Sequence, residues 1–303
     1  MSKTFADLLA HKTPIIYDGA TGTFLQEMGL PMRDAPEAWV LDQPANVYAA
    51  AEAYVNAGAQ IILTCTFGGT ALRLLQAGLD DHAYEINRRA AELAQQAARG
   101  RALVAGSMGP LGQMPLALGT VTYRDAVEQF ADQARALADG GIDLLSIESM
   151  SDLAEILAAI EGARRVIDLP IFATMSFDTH GKTLTGITPT LAARELMNAR
   201  VAAFGANCGR GPEDVAAILQ EMRSAARDAV LIAKPNVGIP EIRAGKAVYN
   251  VPPARFALCA RDWVRAGARI IGGCCGTTPQ HIAALRAALT SSKSSPSRQQ
   301  MIG

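Results

Sequence analysis

Several things are scarce in this 303-residue chain, and each scarcity excludes a class of function. Charge of one sign is scarce: 28 basic against 29 acidic residues leave a net charge near −1, with no basic run. A nucleic-acid or anionic-membrane surface therefore has no electrostatic footprint. Long apolar runs are also missing, although half of the residues are hydrophobic. A transmembrane helix needs roughly 20 consecutive apolar residues, so no membrane span is expected. The start, Met1-Ser2-Lys3-Thr4-Phe5-Ala6-Asp7, lacks the apolar core of a signal peptide. A cytoplasmic protein is expected. Aromatic residues make up only 5% of the chain, which leaves little material for an aromatic cage around a cation. Gly-x-Gly-x-x-Gly does not follow the first strand-like run, so a dinucleotide-binding opening is not expected.

Cysteine is present five times, an odd number with no spacing typical of a small disulfide scaffold. Cys274 and Cys275 are adjacent, in the run Gly272-Gly273-Cys274-Cys275-Gly276-Thr277-Thr278-Pro279. On a regular strand neighbouring side chains point to opposite faces. The flanking glycines permit backbone angles that bring both sulfurs toward one point. A third cysteine, Cys208, lies in the similar setting Asn207-Cys208-Gly209-Arg210-Gly211-Pro212. Three thiolates around one open position suit a catalytic zinc that binds its substrate directly. Cys65 is read as a lining residue and Cys259 as core.

Short apolar runs alternate with alanine-rich helical patterns along the chain. The strand candidates are Pro14–Ala20, Gln60–Phe67, Ala102–Gly109, Ile142–Ser149, Pro170–Phe177, Ala203–Cys208, Val230–Asn236 and Ala268–Cys274. Helices are expected over Asn46–Ala57, Asp81–Arg99, Arg124–Asp139, Leu153–Val166, Leu191–Ala199, Pro212–Ala226, Pro253–Ala266 and Pro279–Leu289. Continuous apolar strands alternating with helices indicate a parallel sheet covered on both faces. Eight such units fit a single-domain (β/α)8 TIM barrel over residues 1–290. The polar stretch 291–303 reads as a disordered tail.

In such a barrel the C-terminal ends of the strands form one mouth. Cys208 and the pair Cys274–Cys275 then stand two strand spacings apart, about 9–10 Å, a gap that inward-reaching side chains close onto a metal. Asp18 and Glu148 are carboxylates at strand ends. Buried charges need partners: either a local lysine or arginine, or a substrate amino group. Gly19 offers backbone N–H groups, and Asn207 and Asn236 offer amides. A metal bound by three cysteines activates water poorly, but it can hold a further thiol as a thiolate. Alkyl transfer to a substrate thiol is the reaction class that follows.

The runs Asp18-Gly19-Ala20-Thr21-Gly22-Thr23, Thr64-Cys65-Thr66-Phe67, Asn207-Cys208 and Gly272 to Pro279 resemble the homocysteine S-methyltransferase family, and within it the homocysteine-binding module of cobalamin-dependent methionine synthase. The likeness covers about residues 10 to 290. It implies Zn2+ on Cys208, Cys274 and Cys275, with the homocysteine sulfur on the zinc and its amino group near Asp18 and Glu148. Gly19, Thr66, Phe67, Asn207 and Asn236 complete the implied acceptor site. Methionine would be the product. Two positions depart from the family pattern: Cys65, where asparagine is usual, and Lys234, where an acidic residue is common. The other modules of the full synthase are not within these residues, so a methylcobalamin donor is expected on a separate corrinoid protein. Three alternatives stay open: an onium donor such as S-methylmethionine or betaine, another small thiol as acceptor, or a non-catalytic thiol-binding module.

Overall fold

The structure is a computed structural model that describes residues 4–290 except 115, 117, 179, 244 and 245. The expected polar tail, 291–303, lies outside the described residues. Eight strands run parallel: β1 (Ile15–Ile16), β2 (Ile61–Leu63), β3 (Leu103–Met108), β4 (Leu144–Met150), β5 (Ile171–Met175), β6 (Ala203–Cys208), β7 (Leu231–Pro235) and β10 (Ala268–Ile271). Between β7 and β10 lies an antiparallel hairpin of β8 (Glu241–Arg243) and β9 (Lys246–Val248). The sheet order is β1-β10-β7-β6-β5-β4-β3-β2. A parallel bridge between Tyr17 and Ile61 joins the two ends. The ring is a (β/α)8 barrel, as the alternation of strand and helix patterns required.

Strand parity explains where the site lies. Ile15, Leu63, Leu103, Leu144, Phe172 and Ile232 fill the barrel interior, while Ile16, Ile62, Val104 and Leu145 pack outward against the helices. Side chains alternate with a period of two. The parity that turns Leu103, Leu144 and Ile232 inward therefore also turns Ser107, Glu148 and Lys234 inward, nearer the C-terminal ends. The lower layers are apolar and the uppermost is polar. Helix Phe5–Ala10 plugs the bottom, with Phe5 edge-on to Phe172 at 4.8 Å between ring centroids.

Local chemistry sets the helix starts. Thr122 and Asp125 form a reciprocal capping box that begins Tyr123–Asp139. Thr188 caps the helix Pro189–Asn198, whose first residue is a proline with its φ already suited to a helix. The helix expected from Pro212 begins only at Val215. The Pro212 carbonyl accepts from the buried Trp263 indole N–H at 2.8 Å, which ties that segment to the next helix, Pro253–Arg265. The hairpin β8–β9 was not expected. Its first strand is fully exposed and, among the described residues, pairs only with β9, so it carries no alternating apolar signal. Among the described residues no helix is long and apolar enough to cross a membrane.

Candidate active site

β6 ends on Cys208, and the segment after β10 carries Cys274 and Cys275. β7 stands between them in the sheet. The three Sγ atoms lie within 4.8 Å of one another. Cys208 has φ +58°, unusual for a residue with a side chain, and Gly209 follows at +74°. This left-handed turn ends the strand and directs the sulfur toward the loop after β10. That loop is fixed by backbone bonds: Cys274 N–H donates to the Pro235 carbonyl at 2.9 Å and Gly273 N–H to the Asp18 carbonyl at 2.9 Å. A Cβ on Gly272 would stand 2.6 Å from that same Asp18 carbonyl oxygen, so close approach of the backbones requires glycine there.

The chemistry of the donor set fits a soft or borderline divalent metal. Three thiolates closing on one point, with one position left for a substrate, are the arrangement of a catalytic zinc. Hydrogen bonds from Cys208 and Cys274 pull the Cys275 thiol below its ordinary value. The same contacts push Cys208 up. Asn236 Nδ2 donates to the Gly209 carbonyl at 2.8 Å, and its buried Oδ1 has no hydrogen-bond partner among the described residues.

Asn207 and Ser149 brace the cluster. Ser149 N–H donates to Asn207 Oδ1 at 2.8 Å, and Asn207 Nδ2 donates back to Ser149 Oγ at 2.7 Å. Nδ2 also lies 3.8 Å from Cys208 Sγ and 3.7 Å from Cys274 Sγ. Ser149 Oγ is 3.3 Å from Cys208 Sγ. Weak N–H···S and O–H···S contacts of this kind stabilise charge on sulfur and hold its rotamer.

Beneath the sulfurs lies a buried ionic triad. Lys234 Nζ stands 3.4 Å from Asp18 Oδ1 and 3.5 Å from Glu148 Oε2, each of the three side chains being no more than 6% exposed. Asp18 Oδ2 accepts from Leu63 N–H at 2.6 Å, and Glu148 Oε1 from Ser107 Oγ at 2.5 Å. Nζ also sits 3.9 Å from the centroid of the Tyr17 ring, a cation–π contact. Burial raises Asp18 to about 6, offset in part by the Lys234 charge. Glu148 is likewise raised by burial. Burial works against the Lys234 ammonium, but the two carboxylates outweigh it and raise its pKa.

A cavity of about 500 Å³ opens above these groups. Gly19, Thr66, Phe67, Glu148, Lys234 and the three cysteines all line it. Asp18, Asn207 and Asn236 stand behind its wall: each makes the contacts above without being a lining residue. Thr66 donates to the Ser107 carbonyl at 2.8 Å and bonds Thr64 Oγ1 at 2.6 Å. Phe67 is 37% exposed, covers Gly109 and lies under the Arg73 guanidinium. Cys65 lines the cavity apart from the sulfur cluster, its thiol directed to the Pro36 carbonyl at 3.5 Å. Cys259 is buried in the helix Pro253–Arg265.

Sequence reasoning missed three participants. Ser149 was legible only as a strand-tip residue, because its role depends on Asn207 across two strands. Tyr249, just after β9, packs its ring against Gly276 beside the cysteines; burial and the nearby Cys275 charge raise its phenol pKa. Thr277 holds the loop, accepting Ala20 N–H at 3.0 Å and donating to the Cys274 carbonyl at 2.6 Å. Its position within Cys-Cys-Gly-Thr-Thr was the available signal.

Comparison with known proteins agrees with this geometry. Residues 15–289 match the family described as homocysteine S-methyltransferase. Methionine synthase of Mycobacterium leprae is 31% identical over 295 residues, covering 91% of this chain and 24% of that protein. The Mycobacterium tuberculosis methionine synthase is 30% identical over 311 residues, covering 97% of this chain and 26% of that protein. The chain thus spans about a quarter of the length of these relatives. Among solved structures, the metallated form of the Escherichia coli homocysteine methyltransferase MmuM superposes with a TM-score of 0.78 at 27% identity, covering 92% of this chain and 98% of that one.

Proposed function

The chain belongs to the homocysteine S-methyltransferase family, and on that premise we propose that it transfers a methyl group to the sulfur of homocysteine, giving methionine, in a zinc-dependent reaction. The observation that carries the zinc reading is the convergence of Cys208, Cys274 and Cys275 within 4.8 Å at the edge of a cavity. Zinc bound there would supply a soft Lewis acid that keeps the acceptor thiol deprotonated at neutral pH.

Each residue then has a task in the transfer. Cys208, Cys274 and Cys275 would hold the metal. Asn207 and Ser149 orient two of the sulfurs from behind. Glu148 offers its carboxylate to the acceptor's amino group from the cavity wall, with Asp18 adding negative charge beneath. In the transfer the sulfur forms a bond to the methyl carbon while the donor's bond to that carbon breaks. The electron pair of the broken bond leaves with the donor, and the thiol proton has gone to solvent. Proximity and exclusion of water account for what the cavity itself contributes.

The donor in this reading is a methyl-corrinoid on a separate protein, supported by the likeness to methionine synthase and by Phe67 being the one aromatic side chain lining the cavity among the described residues. A second reading, a small onium donor that needs no corrinoid module, is favoured by the match to 98% of the solved MmuM chain, a homocysteine methyltransferase of about this length. A third reading leaves the protein a non-catalytic thiol-binding module.

Product analysis decides among them. Zinc-loaded protein and homocysteine are incubated with a methylated corrinoid protein, S-methylmethionine or betaine. Methionine is expected with the corrinoid protein. Methionine from an onium compound alone would move the donor to that class. Tight homocysteine binding with no product from any donor would leave only the non-catalytic reading.

A further inference from the structure

We infer that Lys234 makes this site tolerant of acceptors that lack an amino group, so that its thiol acceptors extend from homocysteine to des-amino thiols. This rests on the proposed methyl transfer at the same site and adds a specificity determinant to it.

Rejection of a substrate that lacks one polar group is strong when the site's own polar partners are left unpaired. A site built to pair a substrate N–H rejects the analogue without it by roughly 10⁴–10⁵-fold. Two buried carboxylates with no cation of their own would be such a site, since an ammonium in the substrate would be their counter-ion. Here the counter-ion is internal. Lys234 reaches both Asp18 and Glu148, and the remaining oxygen of each carboxylate is bonded to Leu63 N–H and Ser107 Oγ respectively. An acceptor without an ammonium therefore leaves no carboxylate oxygen orphaned. An acceptor with one still meets a net charge of −1 from the triad, but it also meets the Lys234 ammonium on the same two carboxylates. Its gain is reduced by that repulsion.

Lys234 is placed to persist in this role. Its side chain is 2% exposed, and the Tyr17 ring packs against Nζ. It nevertheless reaches the wall of the cavity where the acceptor would lie. Direct contact with the amino group then falls to Glu148, because Asp18 is not a lining residue and acts only through its charge.

Calorimetric binding to the zinc-loaded full chain tests this with L-homocysteine and 4-mercaptobutyrate, which differ only in the amino group. In the wild type the two Kd values are expected within about tenfold of each other, far short of the discrimination by a site that depends on the substrate's charge. In Lys234→Met the acceptor's ammonium becomes the counter-ion, and the preference for homocysteine should grow by about a hundredfold or more. Lys234→Arg should keep the wild-type ratio. A wild-type preference for homocysteine of about a thousandfold, or a ratio unchanged in a folded Lys234→Met, overturns the inference. Should Lys234→Met not fold, the wild-type ratio decides alone. Failure of both thiols to bind the wild type would instead strike at the proposed acceptor chemistry, and the inference would fall with it.

Discussion

Asn207 and Ser149 are joined twice, Ser149 N–H to Asn207 Oδ1 at 2.8 Å and Asn207 Nδ2 to Ser149 Oγ at 2.7 Å, across strands that are not neighbours in the sheet. The pair ties the end of β4 to the end of β6 directly behind two of the three sulfurs. Ser149 itself has φ +60°, so the strand end is strained as well as bonded. Asn207→Ala leaves the Ser149 N–H without its acceptor and removes the N–H···S contacts. A stability loss of about 1–3 kcal/mol is expected, together with a roughly 10–100-fold loss of zinc affinity. Urea unfolding and competition with a chromophoric chelator measure the two separately. Unchanged zinc affinity would show that Asn207 only braces the backbone.

Each of the three clustered thiols is expected to be needed for the metal, and the two remaining cysteines not. Cys208→Ser, Cys274→Ser and Cys275→Ser should each reduce bound zinc from about one per chain to a small fraction and abolish methyl transfer, since a hydroxyl is a poor zinc ligand. Cys65→Ser should retain the metal, because its thiol points to the Pro36 carbonyl rather than to the cluster. Cys259→Ser should also retain it. Elemental analysis after dialysis gives the stoichiometry. Zinc lost from Cys65→Ser would place that residue among the ligands.

Much of this site could be read from the chain because strand ends announce themselves chemically. Cys208, Glu148 and the Cys274–Cys275 pair stood out as reactive groups closing apolar runs, and a parallel barrel brings such ends to one mouth. Pairings between strands distant in sequence were not legible. Lys234 departs from the family pattern, yet its place between Asp18 and Glu148 follows only from the parity of three strands and the ring order that joins them. Tyr249 directly follows a hairpin whose first strand is fully exposed and carries no apolar periodicity. Apart from β6, whose expected and observed bounds coincide, and β4, which runs one residue further to Met150, the expected strands extend past the observed tips, where backbone groups leave the ladder to bond to loops, as Gly273 does to Asp18.

Gly276 is expected to be intolerant of a side chain for two separable reasons. Its φ is +78°, and a Cβ there would overlap the Tyr249 ring. Gly276→Ala should cost more than the left-handed backbone alone, about 1–2 kcal/mol, and should weaken zinc binding through the neighbouring Cys275. In a Tyr249→Ala background the overlap is gone and only the backbone cost remains. A double-mutant cycle by urea unfolding reads the difference. Equal costs in both backgrounds would mean that the Tyr249 ring yields freely.

The carboxylate of Asp18 should make the fold less stable as pH rises through the mildly acidic range. Burial lifts its pKa from 3.8 to about 6 in the folded protein. Between those values the folded state keeps a proton that the unfolded state has released, so the unfolded state binds fewer protons and stability falls with increasing pH. The stability associated with the raised pKa is fully present below 3.8 and lost as pH passes 6. At about 1.4 kcal/mol per pKa unit, the shift corresponds to about 3 kcal/mol. Asp18→Asn cannot ionise, so the stability of the wild type minus that of the variant should fall by about 2 kcal/mol of this between pH 4 and pH 6.5. Urea titrations of both proteins across that range supply the comparison. A difference that stays level, or rises with pH, would mean that Lys234 and the Leu63 N–H outweigh burial and keep Asp18 ionised throughout.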